Sequence, residues 1–336
     1  MPVTKIKLEN FTAFKDLEVE FSPGINALVG ANGTGKTHLM KVCYAACDVS
    51  KSGGSFAGKL NGVFLPANGI FHHLIKQGGM SAAVAVHIGE VVLDVQFNGE
   101  VSLGLDAVSR DATGIELSMA SVYIPPKEVL SNAPGFLSLC ATREVRFEET
   151  YADVLHRAYL PALCEPIDDT HGQMLENLQN VIGGKVTVKG EEFFLSNEQG
   201  DLEFTLLAEG WRKLGLLWLL IRNGTLRDGS VLFWDEPEAN LNPKMFKVVI
   251  EVLLELQRAG VQVFFATHDY VILKELDLQM TEEDAVAFHS LYRDETGEIA
   301  CHTTSRYLAI SPNAIDEAFD DLYDRQIQRS LGGLKR

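Results

Sequence analysis

The stretch Gly30-Ala31-Asn32-Gly33-Thr34-Gly35-Lys36-Thr37 decides the fold class. Glycines at this spacing ahead of Lys-Thr let backbone N–H groups close around phosphate oxygens. The stretch follows an apolar run, Ile25 to Val29, and precedes a helix expected over Lys36 to Cys47. That order of strand, loop and helix puts a helix N-terminus, with its partial positive charge, at the bound phosphates. Gly30, Ala31, Asn32, Gly33, Thr34 and Gly35 form the cradle. Lys36 is expected to reach the β- and γ-phosphates of ATP as a point charge, and the Thr37 hydroxyl to coordinate Mg²⁺.

A second segment answers it far downstream. Val231-Leu232-Phe233-Trp234 reads as a strand buried on both faces, the kind found in parallel sheets, and Asp235-Glu236-Pro237 follows at its C-terminal end. Ligands of open α/β sheets bind beyond the carboxyl ends of the strands, so both carboxylates are delivered to the phosphate site. Asp235 is expected to hold Mg²⁺ together with Thr37, and Glu236 to polarise the attacking water. The fold class is therefore α/β, a P-loop NTPase.

Asp235-Glu236-Pro237, running into Glu238-Ala239-Asn240-Leu241-Asn242-Pro243, resembles the Walker B and D-loop of ABC-class ATPases. Thr267-His268-Asp269, ending the apolar strand Val261 to Ala266, resembles their switch histidine, which gives His268 a catalytic role beside Glu236. The opening, Leu8-Glu9-Asn10-Phe11-Thr12-Ala13-Phe14 and Phe21-Ser22-Pro23-Gly24-Ile25-Asn26, is similar to the SMC, RecF and OLD-type branch and not to the transporters. The resemblance covers residues 1–48 and 205–310. It implies an ABC-ATPase-like head with a mixed sheet, an antiparallel β lobe and a helical insertion. It also implies an ATP-dependent homodimer that works as a switch on a separate effector protein, in phage defence. Two other roles stand beside this one: a RecF-like repair ATPase and a transporter nucleotide-binding subunit.

The family's signature segment, which contacts the γ-phosphate held by the opposite subunit, is here Leu207-Ala208-Glu209-Gly210-Trp211-Arg212-Lys213-Leu214. Gly210 matches a signature glycine; Ala208 stands where a serine belongs and Glu209 where the first glycine belongs. The helix N-terminus is still expected at the partner's ATP, with Arg212 or Lys213 supplying positive charge. Asn242 replaces the usual D-loop aspartate. No Q-loop glutamine follows the strand Ser121 to Ile124; Pro125-Pro126-Lys127-Glu128 stands there instead. OLD proteins carry a Toprim nuclease after the ATPase, and nothing after residue 310 resembles one, so a nuclease is expected only on another polypeptide.

Lys+Arg 29 against Asp+Glu 46 gives a net charge of −17, so the chain as a whole is no polyphosphate-binding surface. Arg143 with Arg146, and Arg212 with Lys213, are small basic clusters among Glu144, Glu148 and Glu149. Nucleic acid is thus possible but not indicated by charge. With 336 residues and 46% apolar composition, a large core is expected. Cys43, Cys47, Cys140, Cys164 and Cys301 lack framework or zinc spacing. The start shows no signal-peptide pattern, and no apolar run is long enough to span a membrane, which points to the cytoplasm.

Four regions are expected: an N-terminal ATPase lobe over 1–126, a helical insertion over 127–184, a C-terminal lobe over 185–310 and a helical tail over 311–336. The first lobe holds antiparallel strands at Val3 to Leu8, Leu17 to Phe21, Ala82 to Ile88, Val91 to Phe97 and Val101 to Leu105, with a turn at Asn98-Gly99. Residues 50–62 and 76–80 read as glycine-rich loops. His72-His73 lacks acidic or Cys partners in register and reads as surface or core histidines. The insertion is helical at Phe147 to Leu163 and Asp168 to Ile182, with no heptad repeat long enough for a coiled coil. Lys185 to Leu207 reads as a β-meander turning near Gly190 and Gly200, and the tail from Ser311 as a surface amphipathic helix.

Overall fold

A computed structural model describes residues 2–98, 107–110, 119–143, 146–164 and 168–332. In chain order the elements are β1 (Val3–Phe11), β2 (Phe14–Glu20), β3 (Ile25–Val29), α1 (Lys36–Ser52), α2 (Phe56–Phe64), β4 (Ser81–Ile88), β5 (Val91–Asn98), β6 (Ala107–Arg110) and β7 (Ser121–Ile124). Three helices follow, α3 (Phe136–Arg143), α4 (Glu149–Ala158) and α5 (Asp169–Ile182), then β8 (Lys185–Lys189), β9 (Glu192–Asn197), β10 (Gly200–Glu203) and α6 (Glu209–Arg222). The last third holds β11 (Val231–Asp235), α7 (Phe246–Arg258), β12 (Gln262–Thr267), α8 (Tyr270–Gln279), β13 (Val286–Arg293), β14 (Ile299–Thr304) and α9 (Ala314–Gly332).

The central sheet runs β14-β13-β3-β12-β11-β7, parallel except for the antiparallel edge strand β14. Its central strands β3, β11 and β12 are buried at every position. Alternate residues therefore feed two separate cores. Leu28, Phe233, Phe264 and Tyr123 face α1 and an antiparallel sheet. Ala27, Val29, Leu232, Trp234, Val263 and Phe265 face a layer built on α5, α6 and α7.

The antiparallel sheet has the order β2-β1-β4-β5-β6, and its inward face is written in period-2 alternation: Val84, Val86 and Ile88 on β4, and Val91, Leu93, Val95 and Phe97 on β5 are buried. The strand expected over Val101 to Leu105 lies outside the described residues. A third sheet, β10-β9-β8, is the expected meander, and its Val186, Phe193 and Leu195 pack into the core of α6.

One sequence expectation changes. Residues 50–62 are mostly helical, because α1 continues to Ser52 and α2 begins after a Ser55 cap whose hydroxyl accepts from the Gly58 N–H at 3.2 Å. The helices expected over 127–184 pack on the rest of the chain: Val154, Leu155, Met174, Leu178 and Ile182 lie in the main core. Polar bonds also tie α1, α2 and the N-terminal part of α4 together, with Lys41 to Glu148 at 2.7 Å, the Tyr44 hydroxyl to Asp153 at 2.7 Å, and Lys59 to Asp48 and Glu149 at 3.0 Å each. The tail helix α9 docks by its first turns, where Ile315 is buried and Phe319 stacks on Tyr270 at 4.4 Å, and is otherwise exposed. His72 and His73 are surface residues.

Candidate active site

The phosphate loop leaves β3 with Gly30 at φ 146°, where a Cβ would lie 2.2 Å from the Leu291 carbonyl oxygen. Gly35, at φ 89°, receives the Phe14 ring so closely that a Cβ would stand 2.4 Å from it. Both positions require glycine. Ala31, Asn32 and Gly33 form the exposed crown of the loop, and Thr34 closes its turn by donating to the Ala31 carbonyl at 2.9 Å. The Lys36 ammonium folds back on the carbonyls of Gly30 and Ala31, at 2.7 and 3.0 Å. Burial lowers its pKa, against the opposing pull of Asp235, Glu236 and Glu238.

Strand β12 lies between β3 and β11, so the loop, Asp235-Glu236 and Thr267-His268 all emerge at the carboxyl ends of neighbouring parallel strands. Asp235 is 2% exposed, and burial raises its pKa while hydrogen bonds from Thr37 and Tyr123 hold it down. Glu236 leaves the strand at φ 50°, an uncommon conformation for a non-glycine residue, and its N–H donates to the Ala266 carbonyl at 3.0 Å. The turn points its carboxylate outward, with one oxygen 3.5 Å from His268 Nδ1. A buried carboxylate beside a threonine hydroxyl is a hard oxygen set that suits Mg²⁺. Among the described residues, here or elsewhere, no group of three or more His, Cys, Asp and Glu forms a metal centre of its own.

Three contacts at this site went unread in the sequence. Glu238 is buried and accepts from the Thr267 hydroxyl at 2.7 Å and the His268 N–H at 3.2 Å, so it ties the D-loop to the strand end carrying His268. Lys213, 1% exposed, donates to the Ala239 carbonyl at 3.0 Å. Tyr123 donates to Asp235 Oδ2 at 3.0 Å. A carboxylate directly after Asp235-Glu236-Pro237 was a usable sign for Glu238; the contacts of the other two side chains are set only by packing.

Gly210 begins α6 against its own D-loop, where a Cβ would stand 2.8 Å from the Asn240 carbonyl oxygen and from Leu241 Cδ2. Arg212 pairs with the buried Glu128 carboxylate at 3.3 Å, and Lys213 lies beneath the D-loop. Neither cation is free at the helix end, which corrects the expectation that one of them faces a partner's phosphate. The half-exposed Trp211 stands there instead.

Comparison with known proteins follows the same outline. A family model described as "AAA domain, putative AbiEii toxin, Type IV TA system" matches residues 108–274, and a second, described as "AAA domain", matches residues 5–91. The DNA replication and repair protein RecF of Limosilactobacillus reuteri is 30% identical over 143 residues, 41% of this chain and 33% of that protein. RecF of Cytophaga hutchinsonii is 47% identical over 47 residues, 14% of this chain and 12% of its own. The matches thus span a third or less of the RecF proteins. Among solved structures, an Smc head bound to the C-winged helix domain of ScpA superposes with a TM-score of 0.58 at 16% identity, covering 92% of this chain and 99% of that one. The Smc head with a coiled coil and joint from Pyrococcus yayanosii gives 0.57 at 13% identity, covering 94% and 99%. The fold is the ABC-ATPase-like α/β fold of the SMC heads, and over parts of its length the chain is similar to AAA-domain P-loop ATPases and to RecF proteins.

Proposed function

We propose that this chain binds MgATP, hydrolyses it slowly, and acts as a nucleotide-dependent dimeric switch on a separate effector protein in phage defence. The observation that carries the reading is the meeting of the phosphate loop, Asp235, Glu236 and His268 at one end of adjacent parallel strands. The loop N–H groups and Lys36 take the phosphates, while Thr37 and Asp235 hold Mg²⁺. When bound, the ion neutralises charge building on the phosphate oxygens. Glu236 orients and deprotonates the attacking water, and His268, 3.5 Å away, keeps that carboxylate and the γ-phosphate in register. His268→Ala is expected to lower turnover about tenfold or more, less than the 10²–10⁴-fold of a direct proton-transfer group, with little change in ATP affinity. Steady-state kinetics with calorimetry check this, and unchanged turnover removes the role.

The α6 N-terminus, with Gly210 buried against its own D-loop and Trp211 exposed, is the surface proposed to close over a second copy's nucleotide. ATP shifts that equilibrium only by its preference for the closed form, so Glu236→Gln, which holds ATP uncleaved, should accumulate the dimer. Light scattering with Mg²⁺ and ATP tests it. A dimer in Glu236→Gln that is lost on adding Trp211→Glu supports the switch, and a monomer under every condition ends it. Trp211 is the better probe, because a side chain at Gly210 collides with its own D-loop.

A separate effector is supported by the Smc head seen with the ScpA domain, and a defence setting by the AbiEii-type family description. No described helix is long and apolar enough to cross a membrane, in keeping with the proposed cytoplasmic setting. The RecF matches favour a second reading, a DNA repair ATPase, against which the net charge of −17 counts. Tight, salt-sensitive DNA binding would promote it.

A further inference from the structure

Strand β7 pairs in parallel with β11 so that Tyr123 lies opposite Phe233, and alternate residues of a strand share a face, which puts the Tyr123 ring on the side of Phe233 and Asp235. The ring is held 5.5 Å from Tyr44 and 6.5 Å from Phe233, centroid to centroid. From there the phenol reaches along the sheet and donates to Asp235 Oδ2 at 3.0 Å. Both side chains are buried. A buried carboxylate needs its lone pairs met, and a single directed donor on one oxygen decides how the other presents itself.

We propose that Tyr123 is a positioning residue for cation binding: its phenol fixes the Asp235 carboxylate so that, with Thr37, it presents oxygen to Mg²⁺. The inference rests on the assignment of Asp235 as the metal carboxylate. β7 is also the strand whose following loop, Pro125-Pro126-Lys127-Glu128, brings no glutamine and commits Glu128 to Arg212. The strand itself therefore supplies the polar contact to the metal carboxylate. Outer partners of this kind tune metal affinity by about 10–100-fold when removed.

The test is Tyr123→Phe, with ATP affinity measured by calorimetry in Mg²⁺ and in EDTA. Affinity in EDTA should stay at the parent value, while the gain produced by Mg²⁺ falls about tenfold or more. In an Asp235→Asn background the same change should have no further effect on the Mg²⁺ gain. Tyr44→Phe is the packing control. It removes a second buried phenol from the same aromatic cluster, one bonded to Asp153 at 2.7 Å, and should leave the Mg²⁺ gain intact. Equal Mg²⁺ dependence in Tyr123→Phe and the parent overturns the proposal, as does an equal loss in Tyr44→Phe. A parent protein with no Mg²⁺ gain at all would instead overturn the metal assignment.

Discussion

Lys36→Ala is expected to remove most or all ATP binding. The ammonium sits within 3.0 Å of two loop carbonyls and is the positive charge set among Asp235, Glu236 and Glu238. On phosphate entry it exchanges those carbonyls for phosphate oxygens, a stronger, charge-assisted contact. Truncation removes that contact and weakens the positive charge that opposes three carboxylates near the incoming polyanion. Losing one partner of a buried charged pair costs about 2–5 kcal/mol, which is about 30-fold to several thousandfold in affinity. Calorimetric titration measures it, and a parent-like affinity would remove the phosphate loop from the site. The fold should survive, since Lys36 belongs to the rim of the loop and the cores on both faces of the sheet are untouched.

Glu236→Gln has the opposite profile: binding is kept and hydrolysis slows by about 10²-fold or more. The amide has the carboxylate's shape, so the unusual backbone at φ 50° and the N–H bond to Ala266 remain. What disappears is an acceptor strong enough to take the water's proton. Single-turnover measurement separates this from a binding defect. Full turnover in the variant would pass the base role to Glu238. That carboxylate is less suited to it, being buried, raised in pKa by that burial and already bonded to Thr267 and the His268 N–H.

The fold and the ends of the chain were legible because both rest on local rules. Gly30 to Thr37 names its own conformation through glycine spacing. The largely apolar runs at Ile25 to Val29, Val231 to Trp234 and Val261 to Ala266, interrupted only by Asn26 and Gln262, read as strands covered on both faces. Alternation alone outlined β4 and β5 to within a residue. Local signals failed where helix and loop share a composition. Glycines at 53, 54 and 58 suggested a loop, yet the Ser55 cap and the buried Phe56, Leu60 and Val63 make α2 worth folding. A glycine's cost of about 1 kcal/mol is smaller than such a packed face supplies.

The sequence by itself determined that a phosphate loop, Asp235, Glu236 and His268 belong to an α/β nucleotide-binding head, since strand-end motifs carry their position with them. Only the tertiary structure decided which side chains serve the site from a distance. Tyr123 reaches Asp235 across a parallel strand pair, Lys213 and Gly210 are locked beneath and against the D-loop, and Arg212 is spent on Glu128. The reason is physical: a motif constrains its own backbone. A buried hydrogen bond between residues more than 100 positions apart depends on strand order, register and facing, none of which any local stretch encodes.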